Sequence, residues 1–376
     1  MELFVLITIL IAIFVVEKIY YRLHALEDLE LKVSFSKDVA GFGEDIELIE
    51  VAENKKRLPL PFIILKFEAP LEIVFYDMMN TSTSDYLYRE DMLTMKAFSK
   101  HTRRIKAQCT KRGYYVFPRV GLTTSDILLT ERYTREFDND ASLVVLPELL
   151  EDDMIRMLNS VTLSELQCRR TLLTDPFTLA GIREYAPNDP MNSINWKASA
   201  KTGELMVNQN ASTCAQKVHV FVNLDFYNQK RSVSLLEKSI SLAYSYLNEL
   251  AKLGIPASLY TNGRDVITDQ PAVSETDSST SALEERAVML ARIDLKKPVI
   301  PFAEILGKYI PASERDDFIL VISPQFNGNF RPLLADIKSR RPALHWLMPS
   351  YKTTPDANPE PEIASSYTRW EVIGHD

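Results

Sequence analysis

The chain lacks the short motifs that mark most nucleotide- and metal-dependent enzymes: it has no GxGxxG, Walker loop, GxSxG, HExxH or paired CxxC. Its five histidines, His24, His101, His219, His345 and His375, are scattered, and His219 and His345 fall in apolar runs where a hydrogen-bonded structural histidine is expected. Cysteine is scarce. Cys109, Cys168 and Cys214 are odd in number and far apart, which argues against a disulfide framework and for a reducing compartment. A basic excess is also missing, since 43 Lys and Arg against 51 Asp and Glu give a net charge of −8. Nothing is left over to neutralise a phosphate backbone, so nucleic acid is not the expected partner. No catalytic residue and no cofactor are expected from these patterns.

What is present is an ordinary folding composition, 46% apolar and 25% charged over 376 residues, enough for two or three domains of roughly 100 to 200 residues. The apolar run Leu3–Val16 continues through Ile19, Tyr20 and Tyr21 to about 28 Å of helix, long enough to cross a bilayer once. A cleaved signal peptide fits less well, because Glu2 stands where a basic residue is usual and no small-x-small site follows. Lys18 and Arg22 lie just after the run with no basic residue before it, which predicts a cytoplasmic body.

From Leu29 the apolar period becomes two: Leu29, Leu31, Val33 and Phe35 alternate with polar residues. Short β runs follow at Ile46–Ile49, Phe62–Phe67, Ile73–Tyr76, Ile105–Cys109, Tyr114–Val116 and Leu143–Leu146, spaced as in an antiparallel sandwich. Arg112-Gly113-Tyr114 reads as a β-turn with Gly113 at a positive φ. Glu148–Leu173 reads as mostly helical or irregular, anchored by Leu149, Ile155, Leu158 and Leu166. After Gln216, strands at Val218–Leu224, Ile255–Tyr260, Phe318–Ile322 and Leu344–Met348 alternate with helices at Ser234–Leu253, Leu283–Ile293, Phe302–Tyr309 and Leu333–Arg340. That alternation predicts a doubly wound α/β sheet, with a further strand at Arg369–Ile373. The expected organisation is a transmembrane anchor at 1–23, an Ig-like β-sandwich at 24–147, a connecting region at 148–215 and an α/β domain at 216–376.

The connecting region holds the densest chemistry, GIREYAPNDPMNSINWKASAKTGELMVNQ from Gly181 to Gln209. Arg183, Glu184, Asp189, Lys197 and Lys201 gather around Tyr185 and Trp196, with Pro187 to Pro190 forcing a turn between two regular pieces. A buried Trp196 with ion pairs folded over it is the structural expectation; a partner-binding surface is the functional one. Gly181, Arg183, Glu184, Tyr185, Pro187, Asp189, Ile194, Trp196, Ser199 and Ala200 resemble the signature of domain of unknown function family 58, with Lys201 where Arg is usual. Gly43-Glu44-Asp45, Leu58-Pro59-Leu60-Pro61, and Arg112-Gly113-Tyr114 with Ser125-Asp126 also resemble it.

The last region resembles the von Willebrand factor A domain, which follows the signature in family members. That resemblance implies a first strand ending in Asp-x-Ser-x-Ser and a divalent cation held there. This chain has Asp225-Phe226-Tyr227-Asn228-Gln229, and Ser323-Pro324-Gln325 at the later loop, so a degenerate site around Asp225 without metal is expected. Phe226, Tyr227 and Pro324 are then the expected contacts to a protein, with Asp225 orienting the loop. The resemblance implies a partner as well, a MoxR-type AAA+ ATPase, and a membrane-anchored adaptor in the assembly or remodelling of complexes. The alternative is a cell-surface ligand-binding or adhesion protein with the opposite topology.

Overall fold

A computed structural model describes residues 1–151, 153–172, 174–187, 189–212, 217–225, 231–326 and 329–372; the side chains at 2, 167–172, 174–180, 209–212 and 231–232 are outside that description. The chain divides into two compact units, one built from Met1–Glu148 with Leu290–Arg292, the other from Leu149–Met289 with Ile293–Asp376.

The first unit opens with helix α1 (Glu2–His24). Its stretch Leu3–His24 is long and apolar enough to cross a membrane, with a mean hydropathy of 2.5 and, over Leu3–Val16, side chains that are all exposed. Only its last two turns, from Glu17 on, meet protein. The Tyr21 hydroxyl donates to Pro59 O (2.9 Å), and Lys56 Nζ donates to the carbonyls of Ala25 (2.7 Å) and Glu27 just past the helix end. Arg135 reaches Leu26 O at 3.2 Å. Basic donors on the orphan carbonyls of a helix C-terminus satisfy both hydrogen bonding and dipole. Burial pushes the Lys56 ammonium down to about 8.

Ten strands follow: β1 (Leu29–Phe35), β2 (Val39–Ala40), β3 (Asp45–Asn54), β4 (Leu60–Ala69), β5 (Ile73–Phe75), β6 (Thr81–Thr83), β7 (Leu87–Met95), β8 (Ser99–Cys109), β9 (Gly113–Ser125) and β10 (Arg132–Val145). They form a four-stranded sheet, β1-β3-β8-β5, and a six-stranded sheet, β2-β10-β9-β4-β7-β6. All pairings are antiparallel except β2 with β10. Alternation supplies the core: Val33, Leu48 and Ile105 from one sheet meet Leu65, Phe117, Leu122 and Leu143 from the other, all buried. Phe35 stacks on Phe117 at 5.0 Å between centroids.

One sequence expectation is corrected here, and one strand is added. Gly113 is not at positive φ but opens β9, and a Cβ there would lie 2.9 Å from the Tyr115 ring, so the missing side chain makes room for that tyrosine. Strand β7 was hidden in the sequence because its inward positions include Arg89 and Asp91, both buried and bound to each other at 2.6 Å.

The second unit begins with α2 (Asp153–Leu172), which buries Ile155, Leu158 and Leu166; Leu149 is exposed and precedes the helix, so it is not an anchor. A hairpin follows, β11 (Thr174–Glu184) with β12 (Met206–Ser212), and between them a 3-10 turn (Met191–Ser193) and α3 (Trp196–Thr202). Then come β13 (Val218–Val222), α4 (Arg231–Lys252), β14 (Ala257–Arg264), β15 (Pro271–Asp277), α5 (Thr280–Ala291), α6 (Phe302–Tyr309), β16 (Phe318–Ile322), α7 (Phe330–Arg340), β17 (Leu344–Ser350), α8 (Pro361–Ala364) and β18 (Tyr367–Glu371).

These strands make one six-stranded sheet in the order β15-β14-β13-β16-β17-β18. The five strands β14, β13, β16, β17 and β18 are parallel and the edge strand β15 is antiparallel. In numbering from β13, this is the doubly wound order 3-2-1-4-5-6. Strands β13, β16 and β17 are buried on both faces, so they read as nearly continuous apolar runs, interrupted by His219 in β13 and His345 in β17. One face, through Phe221, Ile319, Val321 and Trp346, packs on Phe302 and Leu306 of α6, Leu334 of α7 and Ile363 of α8. Helix α4 packs on β13, β14 and β17 and takes the other face, and α2 covers it, with the Tyr246 and Thr162 hydroxyls hydrogen-bonded at 2.5 Å. Double coverage explains why residues 239–247 of α4 are all buried, Ser239, Ser241 and Ser245 included.

Candidate interaction site

The signature stretch folds as a braced hairpin tip. Arg183, near the end of β11, sets both terminal nitrogens on Asp189, Nη1 to Oδ2 at 2.6 Å and Nη2 to Oδ1 at 2.5 Å. Asp189 Oδ2 also accepts the Ala186 N–H at 2.8 Å, which closes the Pro-rich turn. The guanidinium, and then that amide, hold the Asp189 carboxyl below the usual carboxylate range. Asn195 caps α3 through Oδ1 to the Ala198 N–H (3.0 Å), while its amide donates to Asn208 of β12 (2.7 Å). Ser199 Oγ donates to Asn195 O and accepts the Met206 N–H, both at 2.9 Å. Gly203 ends the helix at φ 80, the left-handed conformation that favours glycine. Ile194 and Val207 fill the small interior.

Against that frame Trp196 points outward. It is 67% exposed, so the expectation of a buried tryptophan is wrong: seven residues of helix on a two-stranded hairpin give it nothing to be buried against. Met191 (71%), Leu205 (46%) and Ile182 (44%) are exposed on the same hairpin. Lys197 and Lys201, four residues apart and hence on one helix face, are exposed, as is Glu184. Tyr185 is half-buried, its N–H bound to Leu205 O at 2.8 Å. Of the residues singled out from sequence, the structure joins Arg183 to Asp189 and aligns Lys197 with Lys201. The exposed Met191 and Leu205 went unrecognised, although isolated apolar residues in a Pro- and Asn-rich stretch are the available signal.

The second candidate is the carboxyl end of the parallel strands, the usual ligand crevice of an open α/β sheet. Here Asn223, just past β13, uses all its hydrogen-bonding capacity. Its amide donates to Ser323 Oγ (3.0 Å) and Gln325 Oε1 (3.2 Å), and its oxygen accepts from Asp225 N–H (2.8 Å) and Asn262 Nδ2 (3.3 Å). Asn262 also accepts the Leu224 N–H (2.8 Å) and donates to Ile300 O (3.0 Å). Asp225 Oδ2 accepts from Phe302 N–H at 3.2 Å, capping the first residue of α6. Burial raises the Asp225 carboxyl, offset in part by that N–H. The oxygens a hard cation would need are amides and a hydroxyl already bound to one another, a poor fit to divalent metal. Among the described residues no three His, Cys, Asp or Glu side chains cluster as metal ligands. Pro324 is half-buried in this loop, while Phe226, Tyr227, Asn228 and Gln229 lie outside the described residues. The signal for the network was a polar residue closing each apolar run, Asn223 after β13 and Asn262 within the end of β14.

One further constellation has the composition of a nucleophilic triad. His219 Nδ1 lies 2.6 Å from Ser258 Oγ and Nε2 lies 2.9 Å from Asp317 Oδ2. All three are at the amino ends of the strands and buried, Ser258 completely, and Asp317 also accepts the N–H groups of Lys217 and Glu314. No reacting atom can reach that hydroxyl, so the set ties three strands together, as expected for His219.

No protein-family model and no curated protein matches the chain. Among solved structures, a CARDB domain from Pyrococcus furiosus is similar at 19% identity over 32% of this chain and 96% of its own, with a TM-score of 0.21. A non-cellulosomal cohesin from Archaeoglobus fulgidus gives 13% identity over 31% and 91%, with a TM-score of 0.23. A type I cohesin from Pseudobacteroides cellulosolvens gives 10%, 32%, 96% and 0.19. At these scores neither fold nor function carries over from them.

Proposed function

We propose that the chain is a membrane-anchored, non-enzymatic adaptor of the domain of unknown function family 58 kind, with a von Willebrand factor A-like second unit, whose signature hairpin docks a MoxR-type AAA+ ATPase. The observation that carries this reading is the exposure of Trp196 and Met191 on a tip braced by Arg183–Asp189 and Asn195. A rigid aromatic loses little entropy on binding, and tryptophan is among the residues that most often dominate interface energies. Lys197 and Lys201 beside it favour an acidic partner surface. The charge on Arg183 is used inside the hairpin, so it shapes the surface without belonging to it.

The self-satisfied amide network around Asn223 supports a metal-independent mode of binding. The apolar helix α1 supports anchoring, and Lys18 and Arg22 after it favour a cytoplasmic body. The test is calorimetric affinity of the full chain in detergent for its cognate ATPase. Trp196→Ala is expected to weaken binding by about 2 kcal/mol, roughly 30-fold, while stability changes by no more than about 0.5 kcal/mol. EDTA should leave the nucleotide-free affinity unchanged. Undiminished binding by Trp196→Ala would remove the hairpin from the interface.

A further inference from the structure

The turn between β9 and β10 carries Ile127, Leu128 and Leu129 in succession, exposed by 55%, 57% and 64%. Three consecutive bare aliphatic side chains on a β-turn oppose the usual polar turn chemistry. The turn is firmly made. The Asp126 carboxylate accepts the Thr130 N–H at 2.6 Å, the Thr130 hydroxyl and the Glu131 N–H at 3.3 Å. Leu129 sits at φ 56, a conformation that non-glycine residues rarely adopt. A built turn that displays aliphatic groups implies an apolar environment for them.

Its position in the fold says which. The Ile127 N–H donates to Glu17 Oε1 at 3.0 Å, and Glu131 lies 3.3 Å from Lys18 Nζ. Glu17 and Lys18 are the first charges after the Leu3–Val16 run. That run makes only about 21 Å of helix, whereas a hydrocarbon core is about 30 Å thick. A span that continues through Ile19 and Tyr20 comes to about 27 Å, which sets Glu17 and Lys18 within one helical turn of the hydrocarbon edge. There the turn supplies a partner for each charge and brings its own aliphatic tip to the same depth. Tyr20, exposed just beyond them, suits the headgroup level, while Tyr21 turns into the protein.

We propose that Ile127, Leu128 and Leu129 form a second membrane contact, seated in phospholipid at the boundary of acyl chains and headgroups where α1 leaves the bilayer. The proposal rests on the reading of α1 as an anchor. It is tested on the full chain in nanodiscs, with Cys168 and Cys214 replaced by Ser and Cys109 left buried in the core. An environment-sensitive fluorophore is placed in turn at Leu128→Cys, Leu10→Cys within the span, and Tyr86→Cys. Tyr86 precedes Leu87, which pairs with Ala69 at the end of β4 remote from Pro59 and α1.

The expected result is blue-shifted emission at position 128, quenched by lipids carrying a nitroxide near the headgroup. Position 10 should be quenched by nitroxides deep in the acyl region, and position 86 by a water-soluble quencher alone. If position 10 reports lipid while 128 behaves like 86, the membrane contact of the turn is wrong and the anchor stands. If 128 is shielded from both lipid nitroxides and aqueous quencher, protein covers the turn and the proposal fails. If position 10 is itself accessible to water, the anchor reading falls and this inference with it.

Discussion

Replacing Glu50 by Gln should stabilise the first unit at pH 8 and leave it unchanged at pH 4.5. Glu50 lies on β3, 2% exposed, opposite Arg103 of β8, and neither of its oxygens finds a donor. The two nearby arginines are committed elsewhere: Arg89 Nε and Arg103 Nη1 each sit 2.6 Å from Asp91, and both arginines also reach Asp77. Two cations and two carboxylates already balance, so a charge on Glu50 is surplus. Burial, and then the charge of Asp91, push its carboxyl up from 4.5 to about 7 against the pull of Arg103 and Arg89.

Between those two values the unfolded chain has released the proton and the folded chain still holds it, so stability falls as pH rises through the window and levels off above 7. The full loss is about 3 kcal/mol, from 1.36 kcal/mol for each pKa unit. Glutamine keeps the neutral shape and its amide can donate to Asp91. The assay is urea unfolding of the full chain in detergent at pH 4.5, 6 and 8, followed by far-UV circular dichroism. Trp196, Trp346 and Trp370 all lie in the second unit, so at each pH their fluorescence provides an internal reference that should be the same in parent and variant. A variant whose advantage is the same at all three pH values, or which is less stable than the parent at pH 8, would refute the reasoning.

The second unit should respond to acid in the opposite sense. His345 on β17 is buried, bound to Thr368 Oγ1 at 3.0 Å, and pushed down to about 4 by burial and by Lys338. Its unfolded form gains a proton below about 6.5, so acidification from there to 4 costs up to about 3 kcal/mol, and His345→Gln should flatten that part of the tryptophan-detected profile. A parent and variant with parallel acid profiles would contradict it. Protease added to intact spheroplasts should leave the body uncut, whereas digestion from outside would reverse the topology and favour the surface-adhesion alternative.

The α/β half was the more legible. Helix α6 and strand β16 fall on the residues read from sequence, because in a doubly covered sheet apolar runs and helical periodicity follow directly from burial. The antiparallel edge β15 was missed, since Pro271–Asp277 mixes Ala272 and Val273 with Ser, Glu, Thr and Asp as an edge strand should. In the first unit, β9 and β10 run for 13 and 14 residues where sequence suggested brief runs, because Pro118, Gly121 and the polar end Thr123–Ser125 interrupt β9 and charged residues fill β10 from Arg132 to Asp140. At the candidate site, residue types were legible and burial was not. An Arg-Asp pair and a tryptophan in one turn look the same whether the ring folds inward or outward. The outcome depended on how little protein surrounds α3.

With α1 seated in a bilayer as proposed, the clamp at its end would remove any slack between the helix and the β-sandwich. With Tyr21, Lys56 and Arg135 all holding the helix exit, the sandwich is keyed to the helix like a flag to a staff. In a bilayer its heading about the membrane normal is then set by helical phase. One residue added or deleted between Val16 and Tyr21 would turn the sandwich by about 100° and shift it by about 1.5 Å. A neighbour fixed in the same membrane would therefore face one chosen side of this sandwich, selected by the count of residues in the helix and not by the search of a tethered body.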